Sequence, residues 1–585
     1  MSVRSFVASE AEMRALLAVA RGDAPADLLL RGGQLVNVLT GEVYPAEIAI
    51  QGGRIAGVSR EPGVYSGRET LDLDGEYIAP GFIDAHVHVE SGMMLPAEFA
   101  NAVLPHGTTA IVSDPHEIAN VHGLDGIRFM LAASEGLDLR VFVMLSSCVP
   151  ATHMETSGAR LSADDLATLL DEPRVLGIAE MMNYPGVVAV SEDMAAKALL
   201  GHRARVRVDG HAPLVGGLTL QAYAAAGVSS DHESVAAQEA LDKLRAGVQV
   251  LIREGSTAKN LDAILPVVNE RTARFCSWAT DDKQPDDLET QGHIDHNIRK
   301  AVEQGLDPVL ALQMASINTA RHYALNDLGA IAPGYHADMV TFRDLENVRP
   351  TRTFAAGRLV AQGGAILSPA RNRVQPPKNN MTAGFVTEDS FLIEAIGNYA
   401  RAIRVLPEQL ITPSEVVEVK VSGDVVVADP GRDLLKIAVV ERHRGTGNVG
   451  LGLVTGLGLK AGALASSIAH DSHNVVVVGA DDADMALAVR TVNDMEGGIA
   501  AVRGGKVLAR LPLPVAGLMS DQPLATVRDG MLRLLAAARE LGCPLANPYM
   551  QMAFLALPVI PELKLTDLGL VDVGKFELCG LFVDG

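Results

Sequence analysis

Two rhythms of apolar and polar positions alternate along this chain. Between Leu28 and Leu73, the runs LLLRGGQLVNV, AEIAIQGGRIAGV and ETLDLDG place apolar and polar residues in turn around glycine pairs, as hairpin strands do. From Tyr77 the rhythm changes, and short apolar runs alternate with stretches whose apolar residues recur at a spacing near 3.6. The runs are GFIDAHV, TTAIVSDP, LRVFVMLSSC, VLGIAEM, VRVDGHA, GVSSDHE, VQVLIRE and RFCSWATDD. Helical stretches such as PAEFANAVLPHG, LTLQAYAAAG, ESVAAQEALDKLRAG and NLDAILPVVNE lie between them. Eight strands, each followed by a helix, in about 250 residues are the size of a (β/α)8 TIM barrel. A doubly wound open sheet is the alternative, but its functional residues would gather at one switch point. Here the candidates sit at the ends of many different strands.

Past the barrel, DPVLALQMASINTARHYAL reads as helical, and GAIAPGYHADMVTFRDLENVRPTRTFAAGRLVAQGG is strand-rich again. The simplest packing joins both flanks into one β-domain, with an N-terminal helix and first part in 1–75, the catalytic barrel in 76–325 and the second part in 326–370. SPARNRVQPPKNNM carries Pro, Asn and Arg in place of apolar periodicity and reads as a linker. Residues 382–585 mix strands (VVEVKVSGDVVVA, LLKIAVVERH, HNVVVVGA) with helices (DADMALAVRTVNDM, GMLRLLAAARELG), an α+β domain. The fold class expected is α/β: a TIM barrel flanked by a composite β-domain, plus a C-terminal α+β domain.

Composition narrows the partners. Hydrophobic residues make up 48% and charged residues 21% of the 585, the profile of a globular protein. A formal net charge of -22 argues against nucleic acid and against an anionic membrane surface, since both need clustered Lys and Arg. Four cysteines without a CxxC pair make neither a disulfide framework nor a thiolate zinc site. The first residues, MSVRSFVASEAEMRALLAVARG, carry Glu10 and Glu12 within a helical pattern and read as neither signal peptide nor membrane span. A small-molecule substrate and a cytoplasmic location are expected, with a homo-oligomer, a dimer, as the assembly.

Chemistry collects at the strand ends. His86-Val87-His88 ends the first barrel strand, and residues two apart on a strand point the same way, here toward the barrel's C-terminal mouth. Core packing favours Val, Ile and Leu in that position, so HxH alone leaves metal ligands and satisfied core histidines equally open. The fourth strand then ends at Glu180, the fifth at His211, the sixth at His232 and the eighth at Asp281. Packing does not explain an imidazole or carboxylate at five strand ends, because an unpaired buried carboxylate costs several kcal/mol. Six ligands exceed one tetrahedral site, which implies two divalent metal ions with Glu180 as the central, bridging ligand. A shell without thiolate suits Mn²⁺ or Fe²⁺, with Zn²⁺ also compatible.

The run APGFIDAHVHVESGMMLPAEFANAVLPHGTTAIVSDPHEIANVHG, with LGAIAPGYHADMV after the barrel, resembles the amidohydrolase superfamily. SDPHEIANVHG, GIAEMMNYPGVV, DGHAPLVGG, SSDHES, REGSTAKNL, ATDDKQPDDL and HDSHNVVVVGADDADMALAVRTVNDMEGG are similar to its bacterial adenine deaminase family, over nearly the whole chain. The resemblance implies that the flanking β-domain is a β-sandwich. It implies that Glu180 replaces the carboxylated lysine that bridges the metals in many relatives. It implies hydrolytic deamination of adenine to hypoxanthine and ammonia by a metal-bridged hydroxide, in purine salvage. Asp281 would move a proton from that hydroxide toward the departing amine, and His232 or a neighbour would stabilise charge on the ring. The alternative is a related hydrolase acting on another heterocyclic amine or cyclic amide. A catalytically dead scaffold has no physical reason to keep these buried groups, and the HxE with PCxxC signature of the other zinc deaminases is absent.

Secondary candidates follow other strands. Asp114, His116 and Glu117 lie in SDPHE, where Asp114 either caps a helix or, with its neighbours, touches substrate or the ligands. Arg253, Glu254 and Ser256 end the seventh strand and suit base recognition or a structural ion pair. His470, Asp471 and His473 resemble a metal cluster but read more simply as a polar network beside a strand start. His106, His122 and His322 read as helix-end or surface histidines.

Overall fold

The computed structural model describes residues 9–379, 381–383, 385–407 and 409–583. Each of the eight apolar runs carries a barrel strand: β1 Phe82–Val87, β2 Thr108–Ser113, β3 Arg140–Leu145, β4 Val175–Ile178, β5 Arg207–Gly210, β6 Ser230–Asp231, β7 Gln249–Arg253 and β8 Cys276–Ala279. Neighbours pair in parallel in sequence order, as right-handed βα units require. At the mouth, Asp281 N–H donates to the His86 carbonyl at 3.0 Å and His88 N–H donates to the Asp281 carbonyl at 3.3 Å. This parallel bridge joins the first strand to the end of the last.

The barrel axis is filled by Ile83, Ala85, Ala110, Val112, Phe142, Met144, Leu176, Ala179, Leu251 and Ala279, one buried cluster that Ala320, Tyr323, Leu325 and Leu328 of the following segment extend. Strand alternation would then turn His86 away from the axis that holds Ala85. The register resolves this: Asp84 faces Ile111 and Val87 faces Ser113, so three residues of β1 advance against two of β2. That extra residue is a bulge, which re-aims the following side chains and brings His86 and His88 to the mouth.

Three elements differ from their sequence patterns for local reasons. GVSSDHE yields only the two-residue β6, because Asp231 spends its carboxylate on Ala212 N–H, Glu233 N–H, Ser234 and Lys243. The helical stretch after the barrel breaks into Pro308–Met314 and Ile317–His322, where the Ser316 hydroxyl donates back to the Leu312 carbonyl. VVEVKVSGDVVVA is a strand, Ser414–Glu418, followed by a hairpin, Lys420–Ser422 with Val425–Val427, that turns at Gly423 with φ +63°.

Both flanks of the barrel share one nine-stranded sheet, zipped where Tyr77–Pro80 runs antiparallel to Met339–Phe342. Residues 368–379 contain neither helix nor strand, and Asn101 clasps the Ala370 backbone from both sides. The C-terminal region builds a second nine-stranded sheet, with helices Asp482–Asp494 and Leu524–Glu540 packed on it. Helix Pro548–Phe554 and the loop between strands Ala463–Ser466 and Val475–Gly479 face the barrel mouth. Among the described residues, no helix is long and apolar enough to cross a membrane.

Lys564 fastens this roof. Its fully buried ammonium donates to the carbonyls of Leu410 and Phe554 at 3.0 and 2.9 Å, and both residues line the cavity over the mouth. Burial pulls its pKa down from 10.5 to about 7. Between those values the unfolded chain holds the proton and the folded chain does not, so this group makes stability rise with pH from about 7 toward 10.5. Each pKa unit is worth about 1.4 kcal/mol, so the rise is about 5 kcal/mol at most. In Lys564→Met, calorimetric Tm should therefore climb less between pH 7 and pH 9.5 than in the parent chain, and an unchanged slope would show that the ammonium titrates normally.

Candidate functional site

The barrel rule delivers six side chains to one point. His86 is in the last turn of β1 and His88 just beyond it, while Glu180, His211, His232 and Asp281 follow β4, β5, β6 and β8 by one or two residues. All six are buried, none more than 6% exposed. Glu180 is the hub. Its Oε1 lies 3.1 Å from His86 Nε2 and 3.2 Å from His88 Nε2, and its Oε2 lies 2.8 Å from His211 Nδ1 and 3.4 Å from His232 Nε2. Asp281 Oδ1 is 3.1 Å from His88 Nε2 and 3.7 Å from His86 Nε2. Asp281 holds φ at +58°, a left-handed backbone that Asp tolerates better than branched residues and that aims its carboxylate inward.

Packed this way, the group is short of positive charge. Burial alone would raise the Glu180 carboxyl, but His232, His86 and His211 around it hold it well below the usual carboxylate range. Burial would likewise keep His232 neutral, yet Glu180 lifts it to about 9. Glu180 Oε1 and His211 Nε2 nevertheless have no hydrogen-bond partner, although both are buried. His86 Nε2 and His88 Nε2 stand only 3.2 Å apart. Lone pairs that converge without hydrogens to share are what a cation's coordination shell provides, and buried polar atoms seldom stay unpaired otherwise. His86, Glu180 and His232 form one metal-capable triplet; His86, His88 and Asp281 form another. A divalent cation fits these residues.

Around the centre, several groups act by orienting the ligands. The Asp114 carbonyl lies 2.9 Å from His88 Nδ1, and the Asp114 carboxylate takes Ser146 Oγ at 2.8 Å and His116 Nδ1 at 3.0 Å. Asp114 is therefore not a helix cap: helix His116–His122 has no side-chain cap, and Asp114 serves the imidazoles instead. Arg253 donates to Asp281 Oδ2 at 2.8 Å and to Glu233 Oε2 at 2.9 Å, fixing the rotation of Asp281. Glu254 pairs with Lys300 at 2.7 Å, away from the ligands. Ser256 is structural, with its hydroxyl accepting Gln284 N–H and its own N–H donating to the Asp282 carbonyl. His106 and His122 end short helical segments; His322 also ends one but is buried 3.6 Å from Asp209, not on the surface.

A narrow cavity, with a free volume of only about 20 Å³, opens on the centre. Met182 of the barrel and Leu410, Phe554, Leu557 and Ile560 of the C-terminal region give it apolar walls, and Glu233, Asp282, His470 and Asp471 add polar ones. HDSH thus does more than begin a strand: His470 and His473 both reach across to Glu117 of the barrel. Sequence reasoning missed Glu233, although it adjoins His232, and missed the apolar wall, whose residues carry no pattern that distinguishes them from core. The barrel mouth itself was the available signal for Glu233.

Residues 77–360 match the amidohydrolase family, and residues 409–577 match the adenine deaminase C-terminal domain. The adenine deaminase of Desulfatibacillum aliphaticivorans is 48% identical over 569 residues, which cover 97% of this chain and 99% of that protein. That of Methanothrix thermoacetophila is 47% identical over 570 residues, 97% of this chain and 99% of the relative. That of Brucella suis biovar 1 is 46% identical over 571 residues, 98% and 97% of the two chains. Barrel, buried donors and the family match together define the class, a metal-dependent hydrolase of the amidohydrolase kind. At such identity over nearly its whole length, the chain belongs to the adenine deaminase family, enzymes acting on C–N bonds.

Protein produced in metal-replete medium should carry bound divalent metal by elemental analysis. His86→Ala and His211→Ala should each lower that load while circular dichroism stays unchanged, since each removes one donor from a shell that several elements support. Full metal content in both variants would remove these residues from the shell.

Proposed function

We propose that His86, His88, Glu180, His211, His232 and Asp281 hold two divalent cations, Mn²⁺ or Fe²⁺ ahead of Zn²⁺, and that the chain uses them to hydrolyse adenine to hypoxanthine and ammonia. The observation that carries this reading is the division of Glu180: one oxygen faces His86 and His88, the other His211 and His232. A carboxylate shared in that way could help to hold more than one cation. When bound, such cations supply Lewis acidity, which brings the pKa of water from 15.7 to about 7.

The remaining work falls to the chain's own groups. Water's oxygen bonds to C6 of the purine, the C6–N bond breaks, and the amine leaves as ammonia after gaining one of water's protons. The other proton stays with the product ring. On this reading Asp281 carries the transferred proton. Burial would raise its carboxyl, but His88 and Arg253 hold it well below the usual range, so it rests ionised. Arg253 occupies Oδ2, which leaves Oδ1 as the oxygen facing the centre. Phe554, Leu557, Ile560 and Met182 suit a flat apolar ring and exclude water from it. A small-molecule substrate in the cytoplasm accords with this site and with the net charge of -22.

Ammonia release from a panel of purines and pyrimidines, with metal-reconstituted protein, tests the substrate: adenine should be turned over far faster than guanine, cytosine or adenosine. Faster release from any of those three would overturn the assignment. Asp281→Asn keeps a carbonyl donor but cannot carry the proton, so turnover should fall by about 10²–10⁴-fold while metal content and adenine binding change much less. A fall in turnover that merely tracks metal loss would make Asp281 a ligand only.

A further inference from the structure

A second set of buried donors lies where the C-terminal domain meets the barrel. His116 and Glu117 open helix His116–His122, while His470 and Asp471 come from the loop before strand Val475–Gly479. These four are at most 4% exposed. One donor atom from each falls in a group with no pair more than 4.8 Å apart, the only four-membered group of its kind among the described residues. Bonds of about 2.0–2.2 Å to nitrogen and oxygen donors place ligands up to about 4.4 Å apart around one ion, so small adjustments bring all four together.

The atoms themselves are left wanting a partner. His470 Nδ1 lies 2.8 Å and His116 Nε2 3.3 Å from Glu117 Oε1, and His473 Nε2 closes on Glu117 Oε2. Yet Glu117 Oε1 and Oε2, Asp471 Oδ2 and His473 Nε2 are buried with no aligned hydrogen bond. His116 Nε2 also stands 3.7 Å from Asp471 Oδ1. Close approach without alignment repeats what surrounds Glu180. A cation there would satisfy both carboxylates at once, where a hydrogen-bonded network leaves several of their lone pairs unused.

We propose that His116, Glu117, His470 and Asp471 form a further divalent-cation site, adjoining the centre around Glu180 on the same cavity, with His473 backing Glu117. Imidazole and carboxylate donors without thiolate take the Mn²⁺, Fe²⁺, Zn²⁺ class. The cation ties two parts of the chain more than 350 residues apart in sequence, and so holds the C-terminal domain over the mouth. It also fixes His116, whose other nitrogen faces Asp114 at 3.0 Å and Glu180 Oε1 at 3.6 Å. The site stands whether the Glu180 centre carries one ion or two.

Crystals of the full chain grown with Mn²⁺ should give an anomalous difference peak at the Mn edge among these four side chains. Elemental analysis should show His470→Ala losing one equivalent of metal and keeping those held at Glu180. Asp471→Asn, close to isosteric, serves should the alanine variant fail to fold. A peak here with none at Glu180 would leave this site standing and overturn the proposed centre. No peak among the four in crystals soaked to saturation with Mn²⁺, or unchanged metal content in the folded variants, would overturn the site and leave a hydrogen-bonded network.

Discussion

A buried carboxylate surrounded by imidazoles is the constraint on which this structure turns. Glu180 meets four histidines within 3.4 Å in a space closed to solvent. Left to protons alone, the group must charge several imidazoles against the cost of burial, which is why Glu180 drives His232 up to about 9. Divalent cations would resolve the conflict by taking up the lone pairs as ligands. The rest of the fold can be seen as the means of holding those lone pairs together: a closed barrel that presents strand ends, and a second domain that shields them.

Closure is made by the ligand segments themselves. The ladder from His86 and His88 to Asp281 joins first and last strands at the mouth, so proposed ligands from opposite ends of the barrel sequence are fixed by backbone hydrogen bonds. A bulge in β1 and a left-handed Asp281 set their directions. Further out, buried ion pairs hold the frame, with Lys243 on Asp231 beneath His232 and Arg253 on Glu233 and Asp281. Replacing such partners singly leaves an uncompensated buried charge, so these positions tolerate little change.

Much of this was legible in the chain because barrel geometry converts sequence position into place. A strand ends where its apolar run ends, every strand end reaches the same mouth, and so HVH, GIAE, DGH, SDH and ATD read as one site. The family likeness, carried by SDPHE and HDSH as much as by the ligands, pointed to the same function. Direction was less legible. Alternation says that His86 and His88 share a face, but only the bulge decides which face. Asp114 looked equally like a helix cap, and its hold on His88 and His116 depends on contacts that no local pattern encodes. The reach of His470 and His473 to Glu117, and of Phe554 to the cavity, spans hundreds of residues and rests on domain packing. Breaks at Ser316 and Gly423 came from single side-chain and backbone effects inside otherwise regular patterns.

If cations are what make the Glu180 cluster tenable, they must stabilise the fold as well as serve chemistry, because a ligand that binds only the folded state raises its stability by mass action. Scanning calorimetry of chelator-stripped protein titrated with Mn²⁺ measures this directly. The account predicts that Tm rises with Mn²⁺ concentration in the parent chain and that Glu180→Gln, which keeps size but loses the charge, shows most of that rise abolished. Equal Tm values for stripped and Mn²⁺-loaded parent protein would contradict it.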